Sequence, residues 1–122
     1  MVFNFSDTII RSNTILYCSQ FEITVLFYRD ILQLSVQHQT TWLVEFLLFD
    51  NTFLSVADAK RTSIRSSNGD GITISLKVEK LESAHEYLSE KVSDVSKIQE
   101  IWGSMAFYLY DPDGHRIEIW EQ

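Results

Sequence analysis

Apolar and polar positions along this chain follow two periods, and the two take turns. Ile72, Ile74, Leu76 and Val78 alternate with Thr73, Ser75 and Lys77, which is the period of a half-buried strand. Leu81, Ala84 and Leu88 then fall on one helical stripe. The first half opens the same way. Asn13 to Cys18 reads as a strand, and Ser19 sits three residues before Glu22, the spacing of a capping box. Phe21 to Leu32 follows as a helix free of Gly and Pro. Each helix precedes three strand-like runs: Leu34 to Gln39, Trp42 to Phe49 and Thr52 to Ala57, then Val95 to Trp102, Met105 to Tyr110 and Arg116 to Glu121. Asp50-Asn51 supplies a tight turn within the first set.

Phe21 and Leu81 are 60 residues apart, as are Cys18 and Val78, and Asn13 and Thr73. One offset aligns strand with strand and helix with helix, which predicts an internal duplication. The repeated unit is strand, helix, three strands. Runs of strands with helices to one side mean α+β. The expectation is a single domain over residues 1–122, with module one at about 12–58, a linker at 65–71 and module two at about 72–121. The linker is the turn-rich Arg65-Ser-Ser-Asn-Gly-Asp-Gly71. Two small sheets, each covered by a helix on one face, leave two faces to close into a cleft, within one chain or across a dimer.

The tail holds the clearest candidate chemistry. Phe107 to Tyr110 and Arg116 to Trp120 flank Asp111-Pro112-Asp113-Gly114 and predict a β-hairpin. In its second strand Ile117 and Ile119 point one way, and Arg116, Glu118 and Trp120 the other. Glu118 reads as a polar anchor on a pocket floor, paired with Arg116 or hydrogen-bonded to Asn13, and secondarily as a general base. No Ser-His-Asp or Cys-His pattern and no phosphate-binding glycine loop is legible.

Composition narrows the partners. Seventeen acidic against ten basic residues give a net charge of −7, which disfavours nucleic acid and anionic membranes. No apolar run approaches the ~18 residues of a membrane span, and no signal peptide is visible. Cys18 is the one cysteine, so no intrachain disulfide forms. A cytoplasmic protein is expected.

Phe27-Tyr28-Arg29-Asp30-Ile31-Leu32, Trp102-Gly103, and Asp111-Pro112-Asp113-Gly114 through Ile117-Glu118 resemble the vicinal oxygen chelate superfamily. This group includes glyoxalases, fosfomycin- and bleomycin-resistance proteins and extradiol dioxygenases. The resemblance runs from about Asn13 to Glu121 and implies two βαβββ modules around a U-shaped cleft, commonly in a homodimer. Metal-using members hold a divalent ion there through the first and last strands of each module. The matching positions here are Asn13, Thr73, Ser55 and Glu118. Only Glu118 is a good ligand, since Asn and Thr offer neutral oxygens.

The resulting expectation is a protein of the glyoxalase and bleomycin-resistance type that binds an organic small molecule, without cofactor or the usual metal. Binding rather than catalysis is expected, and a cationic aromatic ligand suits an acidic chain with a Trp-rich cleft. The expected ligand-binding residues are Asn13, Tyr17, Trp42, Phe46, Thr73, Trp102, Tyr108, Glu118 and Trp120. The competing reading is a lyase, isomerase or dioxygenase relative with an atypical metal site at Asn13, Thr73 and Glu118, or metal-free acid–base chemistry at Glu118. His85 and His115 read as solvated; Arg61 reads as a solvated arginine, with neutralisation of an anionic ligand as the alternative, and His38, near the end of the second predicted strand, is within reach of the cleft mouth.

Overall fold

A computed structural model describes residues 2–122. The chain forms two compact units, Met1–Ser66 and Ser67–Gln122, whose boundary falls inside the turn-rich 65–71 stretch. The first unit contains β1 (Ser12–Cys18), α1 (Phe21–Leu26), β2 (Ser35–Gln39), β3 (Leu43–Phe49) and β4 (Thr52–Asp58). The second contains β5 (Thr73–Lys77), α2 (Leu81–Lys91), β6 (Gln99–Ile101), β7 (Ser104–Tyr110) and β8 (Arg116–Glu121). The sheet orders are β1-β4-β3-β2 and β5-β8-β7-β6, so one topology is used twice. In each sheet the first strand runs parallel to the last and the remaining pairs are antiparallel. The fold is α+β.

Strand alternation decides which side chains meet the helix. In the first unit Leu16, Val44, Phe46, Leu54 and Val56 are buried. Phe46 meets Tyr28 with ring centroids 6.1 Å apart, which marks this as the helix-covered face. Tyr28 and Phe27 lie on a widened π-turn, Phe27–Ile31, that continues α1 and is closed by the Leu32 amide on the Phe27 carbonyl. In the second unit Phe107, Leu109, Ile117 and Ile119 are buried with Leu81 and Leu88 of α2. Burying each such side chain contributes about 1.5–3 kcal/mol.

Three local expectations need correction. The cap of α1 is Gln20, with no side-chain capping bond, so Ser19 and Glu22 form no capping box. The cap lies one residue later than the motif requires, which leaves Glu22 one position short of closing it. The run Val95 to Trp102 is a strand only over Gln99–Ile101. Ser96 still ties to Tyr108, whose amide donates to Ser96 Oγ at 2.8 Å while the Ser96 amide donates to the Tyr108 carbonyl at 2.9 Å. Finally, Trp102-Gly103 is a two-residue hairpin turn with φ of 54° and 80°, and not the end of a strand.

Candidate functional site

The helix-free face of the second sheet carries three polar rows. β8 lies between β5 and β7, so Glu118 sits in one row with Ser75 and Tyr108. Ser75 Oγ donates to Glu118 Oε1 at 2.6 Å, and Tyr108 Oη donates to Oε2 at 3.0 Å. A carboxylate offers about four lone-pair positions, so two hydroxyl donors leave acceptor capacity. Burial pushes the Tyr108 phenol above its ordinary pKa, and the hydrogen bond and charge of Glu118 push it further, against the opposing Arg116. Tyr108 therefore keeps its proton and acts as the donor in this pair.

The neighbouring row is Thr73, Arg116 and Tyr110. Arg116 Nε donates to Thr73 Oγ1 at 3.0 Å, and its guanidinium carbon lies 4.8 Å from the Tyr108 ring centre. This overturns the expected Arg116–Glu118 pair: among the described residues no carboxylate lies within 4 Å of the guanidinium. On the other side of Glu118 stands Trp120, with Lys77 Nζ 5.2 Å from its ring.

The first sheet repeats this plan with other residues. Ser55 occupies the position of Glu118, since it lies between Ile15 and Glu45 as Glu118 lies between Ser75 and Tyr108. Ser55 Oγ donates to Asn13 Oδ1 at 2.9 Å, and Asn13 Nδ2 donates to Glu45 Oε2 at 3.3 Å. Arg11 reaches Glu45 Oε1 at 3.2 Å and lies 3.9 Å over the Phe53 ring. Asn13 thus spends its amide on Ser55 and Glu45. The Arg11–Glu45 pair is part exposed and contributes at most about 1 kcal/mol.

The β7–β8 turn contains a buried network. Asp111 Oδ1 accepts from the Asp113 amide at 2.9 Å and the His115 amide at 3.0 Å. Asp111 Oδ2 lies 2.8 Å from His115 Nδ1. His115 is 1% exposed, so the solvated reading of this residue is wrong. His85 is also packed: Nε2 meets the Ser96 carbonyl at 2.8 Å and the ring stands edge-on to Phe107 at 4.8 Å.

The expected ligand residues divide by position. Asn13 and Tyr17 lie on the helix-free face of the first sheet; Thr73, Tyr108, Glu118 and Trp120 lie on that of the second. Phe46 is on the opposite, helix-covered face, because Glu45 beside it fixes the parity of β3. Trp102 stands at a turn, 99% exposed, and lines no wall. Trp42 precedes β3, and its carbonyl accepts from the Asp58 amide. Arg61 is exposed, as is His38, which pairs in register with Glu45. Arg11, Glu45, Phe53 and Ser75 were missed. Glu45 carried the same signal as Glu118, a lone acid inside an apolar strand; Arg11 lies before the first strand and gave none.

The family model of the glyoxalase-like domain matches residues 11–122, and the chain belongs to that family, within the vicinal oxygen chelate superfamily. No curated protein matches the sequence. Among solved structures, a lactoylglutathione lyase from Agrobacterium tumefaciens is 20% identical, covering 93% of this chain and 93% of that one, with a TM-score of 0.75. A glyoxalase/bleomycin resistance protein/dioxygenase from Nocardioides is 16% identical, covering 96% and 88%, at 0.77. A member of the same superfamily from Sphaerobacter thermophilus is 17% identical, covering 95% and 99%, at 0.73. At these identities the likeness shows the fold alone. No helix among the described residues is long and apolar enough to cross a membrane.

The expectation of no cofactor must be corrected. Members of this family usually bind metal, which argues against that expectation. Within the second unit, Asp113 and His115 are both buried and offer a carboxylate and an imidazole, donors that suit a borderline ion such as zinc. Asp111 on Nδ1 of His115 leaves Nε2 as the nitrogen such an ion takes, the usual arrangement behind a metal-bound histidine. The positions Asn13, Thr73, Ser55 and Glu118 fit an ion poorly. Three offer neutral oxygens, and the Arg116 guanidinium already occupies Thr73.

Proposed function

We propose that this chain binds a small organic molecule on the helix-free face of its second sheet, with Glu118 as the acceptor for a hydroxyl or ammonium group of the ligand. The observation that carries this reading is the Glu118 carboxylate, half-buried and held by Ser75 and Tyr108 with acceptor capacity to spare. Tyr108, Tyr110 and Trp120 surround it, and aromatic walls with a few placed polar groups are the usual make-up of a small-molecule site.

Thermal-shift screening of a metabolite and antibiotic library, on wild type and Glu118→Gln, tests the reading. Ligands that raise the wild-type melting point should lose affinity by about tenfold or more in Glu118→Gln, the scale of one charge-assisted hydrogen bond. Ligands that shift both proteins equally would show that Glu118 anchors nothing.

A second reading rests on the Tyr108–Glu118 hydrogen bond. A carboxylate beside a phenol that keeps its proton can act as base and acid in a lyase or isomerase reaction. Turnover of a bound ligand that disappears in Glu118→Gln while binding persists would favour that reading over simple binding.

A further inference from the structure

The second unit contains a cavity of about 450 Å³ beside the Glu118 row, lined by residues 67–73, Tyr110, Gly114 and Arg116. Its wall is set by backbone contact. A Cβ on Gly69 would overlap the Gly114 carbonyl, and one on Gly114 would overlap the Asn68 carbonyl, so the 67–71 loop and the hairpin turn touch at two glycines. Both glycines have positive φ, of 80° and 98°.

Arg116 is the cation of this cavity. Its guanidinium is held by Thr73 through Nε and rests on the Tyr108 ring, which leaves the terminal nitrogens for another partner. An arginine fixed at one edge and stacked on an aromatic ring is prepared to take a carboxylate through two parallel N–H donors. Asp70 also lines the cavity, so its lining charges balance. With one cation and one anion in the lining, a phosphate dianion would meet more repulsion than a singly charged carboxylate on Arg116. Arg116 and Glu118 are two residues apart on one face of β8, so their Cα atoms are about 6.6 Å apart along the strand. The two substituents of a para-substituted benzene ring are spaced on the same scale as these two strand positions.

Resting on the reading of Glu118 above, we propose that the ligand is an aromatic carboxylic acid with a hydroxyl or amino group at the far end of its ring. Arg116 binds the carboxylate at the cavity, Glu118 accepts from the hydroxyl or amine, and Tyr110 flanks the ring.

Calorimetric titration with 4-hydroxybenzoate and its neutral counterpart 4-hydroxybenzamide tests this on wild type, Arg116→Gln and Glu118→Gln. Wild type should prefer the acid by about tenfold or more. Arg116→Gln should bring that ratio to about one, at little cost to amide binding. Glu118→Gln should weaken both probes and keep the ratio. Equal affinity of wild type for acid and amide, or a preference unchanged in Arg116→Gln, would overturn the assignment. Absence of binding by either probe would overturn it as well. Glu118-dependent binding without an acid preference would remove this inference alone and leave the Glu118 anchor standing. Unchanged melting points of the variants confirm that each is folded.

Discussion

Replacing Asp111 by Ala should cost the second unit a large share of its stability. The side chain accepts from two backbone amides and contacts the His115 ring, at 2.8 to 3.0 Å, and Asp111, Asp113 and His115 are all at most 5% exposed. Each buried donor left without its acceptor costs about 1–3 kcal/mol. For three such donors the expected loss is about 3–9 kcal/mol, against a typical total of about 5–15 kcal/mol for a domain. Asp111→Asn keeps an oxygen for the two amides and should cost about 1–2 kcal/mol. Urea denaturation followed by circular dichroism measures both, with the slope of the transition unchanged. A loss below about 1 kcal/mol for Asp111→Ala, or equal losses for the two variants, would refute the reasoning that this turn is held by its carboxylate.

Other consequences follow from the same geometry. Gly69→Ala should destabilise by about 2 kcal/mol or more, through left-handed strain and overlap with Gly114, measurable in the same denaturation assay. The Tyr108 phenol has its pKa raised from 10.0, so the folded state holds that proton to higher pH than the unfolded chain. Stability should accordingly fall as pH rises through the window above about 10, and Tyr108→Phe should flatten that fall. In a phenolate absorbance titration of the folded protein, the same variant should lose the late-ionising tyrosine. Glu118→Gln should leave the metal content of the purified protein unchanged by elemental analysis, because Thr73, the other matching position of this unit, offers only a neutral oxygen that Arg116 already engages.

Fold and site were legible to different depths. β8 was read at its observed bounds because Ile117 and Ile119 alternate cleanly with Arg116, Glu118 and Trp120. The β3 run was read as a strand, yet Phe46 was placed on the wrong face. Apolar residues occupy both faces of that strand, and only Glu45 reveals its parity. Trp102 misled because large aromatics favour strands, whereas the Gly103 beside it was the turn signal. His115 looked solvated because it follows a polar turn. Its burial depends on an Asx-type network in which Asp111, four residues earlier, reaches both the turn amides and the ring. The partners of Glu118 follow from cross-strand register, which one sequence does not display. Ser75 lies 43 residues away on the parallel neighbour and Tyr108 ten residues away on the antiparallel one.

The most direct test is a crystal structure of the protein with the ligand that raises its melting point most. The ligand should lie on the helix-free face of the second sheet, with a donor group within hydrogen-bond distance of the Glu118 carboxylate and its ring beside Tyr108 and Trp120. A ligand seated elsewhere, with Glu118 still engaged only by Ser75 and Tyr108, would contradict the account.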